Sequence, residues 1–142
     1  MKPRPEPIGL DVSRTGRVIS RAFNDALTAA GGSLPQWLVL MALKQGDHAA
    51  QRDLAATIGI EGATLTHHLN HMEADGLVRR HRVAGDRRNQ VVALTSAGEA
   101  LFASLLGAVV AFDQQLSDGF TGRELASARA LLARLRANTG AS

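Results

Sequence analysis

The first third of the chain is patterned for helices. Val18, Ile19, Ala22, Phe23, Ala26 and Leu27 recur at three- and four-residue steps, and Gly31-Gly32 ends that run. Ser33-Leu34-Pro35-Gln36 then reads as a helix start, with Ser as N-cap, Pro in the first turn and Gln three residues past the cap. Trp37, Leu38, Leu40, Met41 and Leu43 give this second helix a broad apolar face that stops near Gly46. A short third helix is predicted from Gln51 to Ile58, burying Leu54, Ala55 and Ile58, with a tight turn at Gly59. A fourth runs from Gly62 to Asp75, its large apolar residues confined to Leu65, Leu69 and Met72. So narrow a stripe leaves most of that helix free for another use.

Past Gly76 the period changes. Leu77–Val83 and Gln90–Leu94 are short, Val-containing runs either side of Ala84-Gly85-Asp86-Arg87-Arg88-Asn89, which predicts a two-stranded antiparallel ribbon with a basic, turn-forming tip. Helical spacing then returns. Ser96 and Glu99 stand at capping-box spacing before Leu101, Phe102, Leu105, Leu106, Val109, Val110, Phe112 and Leu116. Thr121 and Glu124 repeat that spacing before Leu125, Ala128, Leu131, Leu132 and Leu135.

A length of 142 residues holds one domain, or one with helical extensions, and 45% apolar residues excludes wholesale disorder. With Cys 0, disulfide scaffolds, thiolate metal sites and cysteine redox sensing are excluded. The polar, Pro-rich start at 1–7 is followed by no signal-peptide core, and Leu101–Phe112 is too short a strongly apolar stretch to cross a bilayer. A cytoplasmic protein with no membrane partner is therefore expected.

The net charge of +3 acquires meaning only by position. Arg79 to Arg88 contains five Arg and one Asp, a net +4, so the remaining residues sum to −1. Fourteen of the sixteen cations are Arg, whose planar fork of donors suits phosphates and base edges. A short helix, a tight turn and a helix with a narrow buried stripe form a helix-turn-helix arrangement. On the side of the fourth helix opposite its stripe lie Ala63, His67, Asn70 and His71, flanked by Thr64 and Thr66, with no carboxylate at the centre. Gly62 and Ala63 let backbone approach phosphate at the positive helix end. The Arg-rich hairpin beside it suits the narrow, negative minor groove. The outer helices cannot bury their wide apolar faces on this reading head alone; packing against a second copy would cover them.

Gly85-Asp86-Arg87-Arg88-Asn89-Gln90-Val91-Val92-Ala93-Leu94-Thr95, followed by Ala97-Gly98, resembles the wing signature of the MarR (multiple antibiotic resistance regulator) family, D-x-R-x-x-x-V-x-L-T-x-x-G. Asp53-Leu54-Ala55 and Leu69–Val78 resemble that family's helix-turn-helix, so the likeness spans about residues 33–98. It implies a mainly α fold with a small β-hairpin wing: a winged helix-turn-helix at 33–95, an N-terminal dimerisation helix at 8–32 and C-terminal dimerisation helices at 96–142, after a tail at 1–7. It also implies a homodimeric, sequence-specific repressor of double-stranded DNA with a pseudo-palindromic operator, released by a small aromatic or other anionic effector. Arg88 then takes the minor groove with Asp86 orienting it, Arg87 assists on phosphate, and Arg79, Arg80 and Arg82 supply the rest of the wing's charge. Thr64 and Thr66 match polar positions at the start of the recognition helix. His67 departs from the pattern, standing where an Arg is common, which makes the contact there base-directed or pH-sensitive.

Other readings are open to particular residues. His67 and His71 are four apart with Asp75 a turn further, as a metal pair would be, but zinc needs three or four ligands, and a polar DNA-facing surface is the simpler account. His68 borders the buried stripe and suits packing. Trp37 is a core residue by its Leu and Met neighbours and a candidate ligand contact by the resemblance. No nucleophile motif, phosphate loop or paired carboxylates suggest an enzyme, and no cofactor is implied. With Tyr absent, no stacking platform for RNA bases is visible. The alternative in another class is a winged-helix module that binds ligand or protein without reading DNA.

Overall fold

The computed structural model describes residues 4–46 and 48–141, and at positions 48–49 and 86–89 the backbone only. The first helix, α1 (Ile8–Ala29), ends at Gly31, whose φ of 95° turns the chain. In α2 (Leu34–Gln45) the Ser33 hydroxyl accepts the Gln36 N–H at 3.3 Å, the predicted cap. A three-residue strand, β1 (His48–Ala50), leads into α3 (Gln51–Ile58). Gly59, at φ 80°, closes α3 and turns the chain into α4 (Gly62–Ala74). The hairpin is β2 (Val78–Val83) and β3 (Asp86–Leu94), and α5 (Ser96–Leu116) and α6 (Gly122–Asn138) complete the chain.

The sheet has three antiparallel strands in the order β1-β3-β2, with Ala50 opposite Val91 and Val78 opposite Leu94. It corrects the expected two-stranded ribbon. β1 is too short and too Ala-rich to show a period, and it is a strand only because β3 offers a free edge. The six-residue tip also shrinks to Ala84-Gly85, with Gly85 at φ 88° and Val83 paired with Asp86 across the turn.

The core gathers Leu27 from α1, Trp37, Val39, Leu40 and Leu43 from α2, Leu54 from α3, Leu65, Leu69 and Met72 from α4, Val78 and Val92 from the sheet, and Leu105 from α5. Each fully buried side chain of this size contributes about 1.5–3 kcal/mol. On α2 it is Val39 that is buried while Met41 is 36% exposed. That helix is apolar nearly all round, so its spacing alone does not select the inner face.

The start of α5 corrects the predicted Ser96/Glu99 capping box. Thr95 is the cap: its hydroxyl accepts the Gly98 N–H at 3.1 Å and donates to the Gly76 carbonyl at 2.6 Å, while its N–H reaches the Leu77 carbonyl at 3.1 Å. Glu99 instead pairs with Lys44 at 2.9 Å. A Cβ on Gly98 would collide with the Leu77 carbonyl oxygen. The α4–β2 turn, the end of β3 and the first turn of α5 are thus tied into one knot at the base of the hairpin.

The chain forms two compact units, Met1–Val109 and Val110–Ser142. In the second, α6 opens on the predicted capping box, with the Thr121 hydroxyl accepting the Glu124 N–H and the Glu124 carboxylate accepting the Thr121 N–H. By length and composition alone α5, at 21 residues, is long and apolar enough to cross a membrane, contrary to the expectation from Leu101–Phe112. Ser104 and Gly107 do not interrupt the helix, so the apolar span is longer than the run of large side chains.

Candidate nucleic-acid interface

Leu65, Leu69 and Met72 are 0–1% exposed, and this inward stripe leaves Ala63, Thr64, His67, Asn70 and His71 together on the exposed side of α4. The His67 and His71 rings meet edge to face, 4.7 Å between centroids. Glu61 precedes the helix without capping it, and Gly62 at the helix start is exposed. Among the described residues no three His, Cys, Asp or Glu side chains gather as a metal site. His68 is half-buried.

Two of the predicted contact residues are committed elsewhere. The Thr66 hydroxyl accepts the Gln51 amide at 2.8 Å and donates to the Gly62 carbonyl at 3.0 Å, so its donor is spent within the protein. Arg80 donates to Asn70 Oδ1 at 2.6 Å and to Glu73 Oε1 at 3.1 Å, and its backbone N–H to Glu73 Oε2 at 2.9 Å. These bonds hold the Glu73 carboxyl below the usual carboxylate range.

Strand alternation also divides the cations. Arg80 follows the inward Val78 and is half-buried, whereas Arg79 and Arg82 are exposed and lie on opposite faces of β2. The positive run is therefore not one surface, a distinction that net charge does not carry. The side chains of Asp86, Arg87 and Arg88, which the resemblance makes the wing tip, lie outside the described residues.

A pocket of about 610 Å³ opens between α3, α4 and the hairpin, lined by Gln51, Arg52, Ala55, Gly62, Thr66, Arg80 and Gln90. Gln51 Oε1 is buried there without a hydrogen-bond partner among the described residues. Gln51, Arg52 and Gln90 were not among the predicted site residues. The polar start of α3, next to the reading helix in any helix-turn-helix, was the available signal. Trp37 sits in the core, 6% exposed and stacked on Phe102 at 5.5 Å, with the Lys44 ammonium 5.5 Å from the Phe102 ring centre.

A MarR family model matches residues 30–89. A MarR family transcriptional regulator from Silicibacter pomeroyi is 30% identical, the alignment covering 91% of this chain and 86% of that one with a TM-score of 0.68. The chain belongs to the MarR family. It is a winged-helix transcriptional regulator, and the matched segment takes in the helix-turn-helix and most of the hairpin. Two further structures share the fold. A mutant MarR from E. coli complexed with operator DNA is 23% identical over 92% of this chain and 94% of that one, with a TM-score of 0.82. BpsR from Bordetella bronchiseptica, whose DNA binding is regulated by 6-hydroxynicotinic acid, is 22% identical over 95% and 99%, with a TM-score of 0.81.

Proposed function

We propose that this MarR-family protein is a homodimeric, DNA-binding repressor acting in the cytoplasm. Its α4 enters the major groove of a pseudo-palindromic operator and the Arg87/Arg88 hairpin tip enters the adjacent minor groove. The exposed side of α4 carries the proposal: Ala63, Thr64, His67, Asn70 and His71 present small or hydrogen-bonding groups, and the carboxylate of Glu73, one turn past Asn70, is paired with Arg80. The winged helix-turn-helix at 33–95 does the reading, and the helices at 8–32 and 96–142 join two copies. Such a dimer sets its two recognition helices about 34 Å apart, one turn of DNA.

The operator complex of the E. coli relative supports the docking, and the 6-hydroxynicotinic acid control of BpsR supports release by a small aromatic or anionic effector. An effector that favours one separation of the two heads shifts the population away from the DNA-competent state. A gel shift with the DNA upstream of the protein's own gene, repeated with aromatic carboxylates, tests both steps. Arg88→Ala is expected to weaken operator binding and to reduce the slope of log affinity against log salt by about 1, leaving the dimer intact. Unchanged binding would remove Arg88 from the interface.

A further inference from the structure

Arg80 belongs by sequence to the wing's phosphate-seeking cations, yet its surroundings give it a different post. One guanidinium nitrogen, Nη2, bonds both Asn70 Oδ1 at 2.6 Å and Glu73 Oε1 at 3.1 Å, and the side chain is only 16% exposed. The Arg80 backbone N–H holds the other Glu73 oxygen at 2.9 Å, so β2 is pinned to two successive turns of α4 through one residue.

The contact with Asn70 carries directional information. A guanidinium only donates, and in a side-chain amide only the oxygen accepts. The Asn70 amide therefore has a fixed sense: Oδ1 faces Arg80, and the Nδ2 group is the part left over on the exposed side of α4. An Asn free to turn would offer an oxygen as readily as a nitrogen, and binding would have to freeze that freedom.

We infer that Arg80 is a positioning residue that sets the polarity of Asn70, so that α4 presents a donor there and reads a base-edge acceptor. Guanine N7 or O6, adenine N7 and thymine O4 all fit such a donor. The two-atom adenine contact of an unrestrained Asn also needs Oδ1, which Arg80 holds here at 2.6 Å. The inference rests on the DNA-binding reading above, and its test has one arm that needs no DNA.

In the free dimer, ¹H–¹⁵N spectra resolve the Asn70 side-chain NH₂ pair, assigned by its loss in Asn70→Ala. Arg80→Lys, which keeps the charge and the apolar stem, and Arg80→Ala are both expected to move that pair; an unmoved pair overturns the clamp. On DNA, affinities are measured for a set of operators changed one base pair at a time. Arg80→Ala is expected to lose about ten-fold of discrimination at the base pair where Asn70→Ala loses it, with the double variant losing no more. The salt slope stays at the wild-type value, because no phosphate contact has been removed. A slope lowered by about 1 with discrimination intact makes Arg80 a phosphate contact and refutes the positioning role. A wild-type protein that prefers no operator refutes the DNA-binding reading instead, and leaves the spectra to decide the clamp alone.

Discussion

Glu73 shows how much one side chain of α4 can carry. It accepts from both the side chain and the backbone of Arg80, and these two bonds, the side-chain one first, lower its carboxyl from an ordinary value of 4.5. A carboxyl depressed by folding stabilises the protein fully above its unfolded value, and that contribution disappears as pH falls through the folded one. Glu73→Gln is therefore expected to cost about 0.2–1 kcal/mol at neutral pH, the range for an exposed pair, since the Glu73 side chain is 41% exposed. The gap between wild type and variant should then close as pH drops below about 4.5. Urea melts of both proteins at pH 7 and pH 3.5 measure it, and subtracting the variant cancels the separate lowering at Glu124. A gap of equal size at both pH values would show that Glu73 is not held by Arg80. The residues themselves were legible from the sequence; the bonds among them were not. Asn70 and Glu73 stand ten and seven positions before Arg80 on a different element, and only the packing of β2 against α4 makes them its neighbours.

At the scale of elements, local signals were readable wherever the competing partners were local. Ser33 and Thr121 cap the helices that their spacing marks, because hydroxyl and N–H lie within one turn. At α5 the same rule misplaced the cap by one residue. Ser96 and Glu99 have the right spacing, but Thr95 has two additional partners, the Gly76 and Leu77 carbonyls, and Lys44 draws Glu99 away. Gly98 fits as the third residue after the cap because the Leu77 carbonyl leaves no room for a Cβ. β1 gave no signal at all, since a three-residue strand is made by its neighbour rather than by its own period. The cap makes a sharp contrast: Thr95→Ala is expected to destabilise the protein by about 1 kcal/mol or more, losing both the cap and the bond to Gly76, while Ser96→Ala stays within about 0.5 kcal/mol. Denaturant midpoints of the two variants compare them directly, and equal losses would return the cap to Ser96.

Over the whole molecule, the largest unexplained feature is apolar surface. Ile8 and Val18 of α1 are 62% and 70% exposed, and in the second unit Val110, Phe120, Leu131 and Leu132 are 43–56% exposed. Scattered apolar side chains are ordinary on a protein surface, but here they recur along α1, α5 and α6, and α5 is mostly unburied. In the proposed dimer a second copy would cover such faces and supply the second reading head that a pseudo-palindrome requires. Charge placed on those faces should therefore separate the copies without touching the core of the head, in which Leu65, Leu69 and Val92 are fully buried. Val18→Asp combined with Leu131→Asp is expected to convert a dimer into a 15.0 kDa monomer in sedimentation, with helical circular dichroism retained. Operator affinity should fall with it by about a hundred-fold or more, because each head then binds its half-site without the effective concentration the other provides. A wild-type chain that sediments at 15.0 kDa at micromolar concentration refutes the dimer outright. A monomeric variant that keeps full affinity refutes the two-headed mode of reading, and leaves a single winged helix as the unit that recognises DNA.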